Sequence, residues 1–255
     1  MWTILAVSQN AFRRALRSKI FATLIIFAVG LILLSKLLEF LTFTAQMKLI
    51  KDVGLASISF FTVLMAIFLA GGSICSQIEQ KTIYTILSKP VSRLNFMLGE
   101  FLGIIWSILV TLTITTAIFL VLLYLKGYRV QEAMIVALVF IFFEATVISS
   151  IAIMFSAFSS SSSTGTVFTL LIYLIGHLNS QLHFLGEKIE ENISRCIIKI
   201  VGWILPNLEY FNVREKAVQN ISISANYVGK VSLYAFIYIC AMLGIAYLAL
   251  RKREI

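Results

Sequence analysis

Long apolar runs without charge constrain this chain more than any other feature. Residues 53–78 and 101–125 contain no Asp, Glu, Lys or Arg. Each exceeds the about 20 residues that a helix needs to cross a hydrocarbon core of ~30 Å. In lipid, every backbone N–H and C=O must be satisfied within the segment or by a closed barrel. Barrel strands would alternate over segments of about 10 residues, whereas these runs are longer and do not alternate. They therefore read as helices. Four further runs have the same character: 20 to about 43, 133–158, about 166 to 185, and 231–250. Lys36 and Glu39 sit near the far end of the first, three apart on one helical face, where they can pair or snorkel. Arg251, Lys252 and Arg253 close the last. The expectation is an all-α integral membrane protein with six transmembrane helices, forming a single domain over residues 1–255.

Composition agrees. Charged residues make up 13% of the chain, about half the usual share of soluble domains, so a soluble domain of any size is excluded. The net charge of +9 raises the question of nucleic acid, but the basic residues gather at the ends of apolar runs. There they meet anionic headgroups and orient the chain, so no nucleic-acid partner is expected; the partner surface is the lipid bilayer. Cys75, Cys196 and Cys240 are widely separated, with no metal-ligand spacing. Phosphate loops, zinc-protease motifs and nucleophile elbows are absent, so neither catalytic residues nor a metal site are expected. The first run, preceded by Arg13, Arg14, Arg17 and Lys19, has no small-residue cleavage site and reads as a retained span.

Three segments outside the spans carry their own patterns. Residues 1–18 place Leu5, Phe12 and Leu16 on one side and Ser8, Arg13 and Arg17 elsewhere, which suits an interfacial helix. Residues 79–89 form a short helix with Ile83, Ile86 and Leu87 on one face, stopped by Pro90, after which Ser92 can cap the third span. Residues 186–229 form the one long connection. Its stripe of Ile189, Ile193, Ile197, Ile200 and Ile204 lies opposite Glu190, Glu191 and Arg195, as in a helix lying on or dipping into the membrane. The run Ser159 to Ser163, followed by Thr164-Gly165, breaks the helical pattern between spans four and five. Gly71-Gly72, within a span, and the pair Gly99 and Gly103 are suited to close helix packing.

An even span count puts both termini on one side. The N-terminus, the 79–97 loop and the C-terminus together hold ten Lys and Arg, against five in the two short opposite loops and span ends. That favours cytoplasmic termini. Six more basic residues, five in the long connection and Lys230 just after it, set among five acids, erase the bias when they are included.

The segment from Glu79 to Gly103, EQKTIYTILSKPVSRLNFMLGEFLG, resembles the loop between spans two and three of ATP-binding cassette (ABC) type-2 permeases. There an acidic residue, a Thr-Ile helix, a Lys-Pro-Val-Ser-Arg turn and an aromatic-x-x-Gly start recur in that order. The likeness extends over the chain: a basic interfacial helix, six spans, a Ser-rich break and a long external connection. Leu205 to Arg214, LPNLEYFNVR, is similar to a segment in the group that includes the nitrous oxide reductase maturation permease. One departure is Glu100, where the family often carries Lys.

The resemblance implies the membrane subunit of an exporter, in an inner (cytoplasmic) membrane of a bacterium, that works by alternating access. Its partners would be a separate ABC ATPase subunit and a second permease copy, identical or not. ATP and Mg would belong to the ATPase, with no cofactor on this chain. Loop 79–97 would be the cytoplasmic coupling loop, with Glu79, Thr82, Ile83, Ile86, Leu87, Pro90 and Arg93 engaging the ATPase. A secondary transporter or a membrane enzyme acting alone is the alternative.

Glu144 is the one acid well inside a run. A charge at mid-bilayer costs about 2.5–3.5 kcal/mol on insertion scales, so it must face the bundle or a wet cavity. It is a pathway or gating candidate; a structural hydrogen bond to a neighbouring helix is the alternative. His177 is the second candidate, although its place toward the end of the fifth run argues against a direct pair.

Overall fold

The computed structural model describes residues 2–37, 46–81, 92–127, 131–188 and 205–252, and these are helical with no strand. The elements are α1 (Trp2–Leu16), α2 (Lys19–Leu37), α3 (Gln46–Gly71), α4 (Ser73–Glu79), α5 (Arg93–Leu125), α6 (Glu132–Phe158), α7 (Ser162–Lys188), a 3-10 turn (Leu208–Phe211), α8 (Arg214–Val218) and α9 (Ala225–Lys252). By length and composition, four segments can cross a membrane: Lys48–Glu79, Arg93–Leu125, Glu132–Phe158 and Ala225–Lys252. A fifth is added if Thr3–Leu16 and Lys19–Ser35, bent by 61°, count as one span. The chain is thus a multi-pass helical membrane protein.

α6 is the axis of the bundle, packed by α3, α5, α7, α8 and α9. Its buried positions run around the helix rather than along one stripe, from Ala133 and Phe140 through Ser149 and Ser150 to Ala157, as expected of a helix enclosed by others. α9 is at the opposite extreme, with Leu233, Phe236, Ile237, Ile245 and Leu248 exposed. Cys75 is buried, while Cys240 lies on that exposed face of α9.

Small residues set the closest approaches. α1 lies along α5 with Val7, Ser8, Ala11 and Ala15 inward, while Leu5 and Leu16 stay outward. A Cβ added at Gly99 would meet Val7 Cβ at 2.6 Å, and one at Gly103 would meet Ser8 O at 2.7 Å. This glycine pair therefore seats the chain's own N-terminal helix. At Gly71 an added Cβ would fall 2.7 Å from Thr166 Cα, so α3 and α7 touch backbone to backbone there.

The run 53–78 is broken at Gly72, between α3 and α4. A break in the membrane leaves amides to satisfy. The Ser156 hydroxyl of α6 accepts from Ile74 N at 3.0 Å and Cys75 N at 3.1 Å, closing the gap from the neighbouring helix. The serine break is shorter than its sequence suggests. α7 starts at Ser162 rather than near residue 166, because serine and threonine are as suited to a first helical turn as to a turn between helices.

Candidate functional site

The α6–α7 hairpin fixes the level of the site. Glu144 lies 14 residues before the end of α6 at Phe158, and His177 lies 15 residues after the start of α7 at Ser162. At 1.5 Å per residue both stand roughly 21–22 Å from the turn. His177 Nε2 accordingly comes within 3.6 Å of Glu144 Oε1. The sequence argued against this pair because the fifth helix was started too late and ended too early; α7 runs to Lys188, leaving His177 mid-helix. From α3, Ser59 Oγ donates to Glu144 Oε2 at 3.4 Å. Glu144 is buried, yet its Oε1 has no hydrogen-bond partner among the described residues. The Tyr173 ring meets the His177 ring edge-on at 4.8 Å.

These groups line one cavity of about 560 Å³. α3 contributes Leu55, Ala56, Ser59 and Phe60, α6 contributes Ala137, Ile141 and Glu144, and the 3-10 turn adds Phe211. At the rim, Arg214 Nε and Asp52 Oδ1 form a half-exposed ion pair at 2.9 Å. Lys51, one residue before Asp52, is buried and donates to Gln131 Oε1 at 3.4 Å and Asn220 Oδ1 at 3.2 Å. Thus Lys51 and Asp52 together pin the segment after residue 205 to the start of α3. Neither signalled this in the sequence, where both read as loop charges at a span end. Ser59 and Tyr173 were equally invisible, being single polar residues in apolar runs.

At the opposite end of the bundle stand the described parts of the 79–97 loop. Glu79 Oε1 accepts from Ser162 N at 3.3 Å, placing a carboxylate at the N-terminus of α7, where the helix dipole favours it. Ser92 Oγ accepts from Asn95 N at 3.2 Å and caps α5. Arg93 Nη1 donates to Leu250 O at 2.7 Å and Arg251 O at 3.1 Å, the last carbonyls of α9. Glu100, buried, is paired with Arg14 of α1 at 2.5 Å. Thr82, Ile83, Ile86, Leu87 and Pro90 lie outside the described residues, as does the isoleucine stripe between residues 189 and 204. Among the described residues no three His, Cys, Asp or Glu gather as a metal site would require.

A multi-pass helical bundle with a polar group buried at mid-height, facing an internal cavity, has the layout of a membrane transporter. The family can be stated: the model for ABC-2 family transporter protein matches residues 5–255, and the chain belongs to that family. A comparison with curated proteins finds no match. Membership makes this chain an ABC transporter membrane domain, and implies an ABC ATPase as its partner.

Proposed function

We propose that the chain is the permease subunit of an ABC exporter, working with separate ATPase subunits and a second permease copy by alternating access. The family match over residues 5–255 carries this reading. In it, α7 is the remaining span, the count is six, and both termini face the cytoplasm of a bacterium. The chain holds no nucleotide; ATP and Mg belong to the ATPase. The likeness of Leu205 to Arg214 to a segment of the group that includes the nitrous oxide reductase maturation permease supports a relation to that group.

Residues 79–93 are the coupling element, pushed when the ATPases close. Two contacts support a route onward. Glu79 and Arg93, at the two ends of this element, hold the start of α7 and the end of α9. Displacing the loop would therefore pull on two helices beyond the pair it joins. Alternating access is a shift between two packed states, which needs rigid transmission of this kind.

The test is Ile86→Asp and Leu87→Asp in a purified permease–ATPase complex. A charge placed in a buried apolar contact is costly, so both variants should lose the ATPase on size exclusion and its permease-dependent hydrolysis. Complexes that assemble and hydrolyse ATP as before would show that coupling lies elsewhere.

A further inference from the structure

We infer that the Glu144 cavity is a binding site for small amphipathic organic cations, molecules with an amine-bearing head and an apolar or aromatic body. This rests on the permease reading and adds the substrate class. The first observation is chemical. Glu144 is buried and lines the cavity, and its Oε1 has no hydrogen-bond partner among the described residues, His177 Nε2 standing at 3.6 Å, beyond hydrogen-bond reach. A buried carboxylate oxygen left in that state favours a ligand that donates to it, and a charged donor most of all.

The second observation is the balance of charge. Glu209 sits on the 3-10 turn whose Phe211 lines the cavity, so a second acid stands on that side of the site. Of the basic groups nearby, His177 already holds its Nε2 3.6 Å from Glu144 Oε1, and Arg214 is engaged by Asp52 at the rim. Lys51 is held by Gln131 and Asn220 and does not line the cavity. An anionic ligand would thus meet Glu144 with no free cation opposite it among the described residues.

The third is shape. About 560 Å³ lies within the ~300–1,000 Å³ range of small-molecule sites. Besides the polar side chains Ser57, Ser59, Glu144, Tyr173, His177 and Asn212 and the Asp52–Arg214 pair, the lining is apolar, Leu55, Ile141 and Phe211 among it. Tyr173 offers an aromatic ring beside the carboxylate, a surface on which a cation or flat ring gains contact energy. A sugar or phosphate would leave most of its polar groups unsatisfied against such walls.

The probe is ethidium, titrated by fluorescence into the full chain in phosphatidylcholine nanodiscs, with empty nanodiscs subtracted. Phenanthridine, nearly the same ring system without charge at neutral pH, and the anion 1-anilinonaphthalene-8-sulfonate are the comparators. Ethidium should bind saturably and more tightly than either. Glu144→Gln should weaken it about ten- to a hundredfold, the worth of a charge-assisted hydrogen bond, and leave phenanthridine within about twofold. Ala56→Phe, which fills the cavity and keeps the carboxylate, should abolish saturable ethidium binding. The proposal is overturned if the wild-type chain shows no saturable ethidium binding, if the anion binds more tightly, or if Glu144→Gln binds ethidium as the wild type does. Should Glu144→Gln not fold, Ala56→Phe decides: unchanged ethidium binding overturns the site. Because no ATPase takes part, a negative result leaves the permease assignment standing, and failure of ATPase association leaves the binding result readable.

Discussion

Glu100 shows what one residue can hide. The resemblance to ABC type-2 permeases leads one to expect lysine at this position, and in a sequence the exchange looks like a change of local charge. In the fold Glu100 is buried beneath α1, and Arg14 closes on its Oε2 at 2.5 Å. Arg14 itself is half exposed, so its own charge is screened and the energy resides mainly in the carboxylate it serves. Arg14→Ala removes the charged partner of a buried carboxylate and leaves it only Gln77 as a named side-chain partner, which should cost about 1–3 kcal/mol. In thermal melts of the detergent-solubilised protein, Arg14→Ala should melt early, and adding Glu100→Gln should recover most of the loss. A double variant as unstable as the sum of the two singles would mean that they do not interact.

Among the elements, α1 is the most informative. Its large side chains Leu5 and Leu16 point outward, while its small ones seat it on Gly99 and Gly103 of α5. Helices in lipid associate through close packing, since lipid tails are as apolar as leucine, and small residues permit the approach. Gly103→Leu would drive a side chain into α1, where the neighbours at that point include the backbone atoms Ser8 O and Phe12 N. Overpacking of this kind costs about 1–3 kcal/mol. The variant should unseat α1 and let trypsin cut at Arg13 or Arg17 faster than in the wild type. Unchanged cleavage and melting would mean that α1 is held elsewhere. The same element joins α2 through a 61° bend, so its seat on α5 also sets how the chain enters the membrane.

For the whole molecule the decisive prediction is topology. With six spans, single cysteines at Ser161 and Glu190, in a chain lacking Cys75, Cys196 and Cys240, should label from opposite sides. Labelling from one side would refute the count. The class of fold was legible in the apolar runs because lipid demands long, internally hydrogen-bonded segments, and that demand is written residue by residue. The helical character, the Ser92 cap and the glycine approaches followed from local rules of the same kind. The site did not. Glu144 announced itself as a costly charge in an apolar run, but its neighbours Ser59, on α3, and Tyr173 and His177, on α7, come from two other stretches of chain and carry no pattern of their own. Their meeting depends on where α7 begins, a matter of a few serines equally fit for a turn or a first helical turn. Lys51 and Asp52 likewise became an anchor only when residues after 205 folded back onto α3. Sequence by itself determined which segments must be helical and buried in lipid, since burial acts on each segment separately. Tertiary packing decided which polar groups share one cavity, since that depends on helix register and on contacts far apart in the chain.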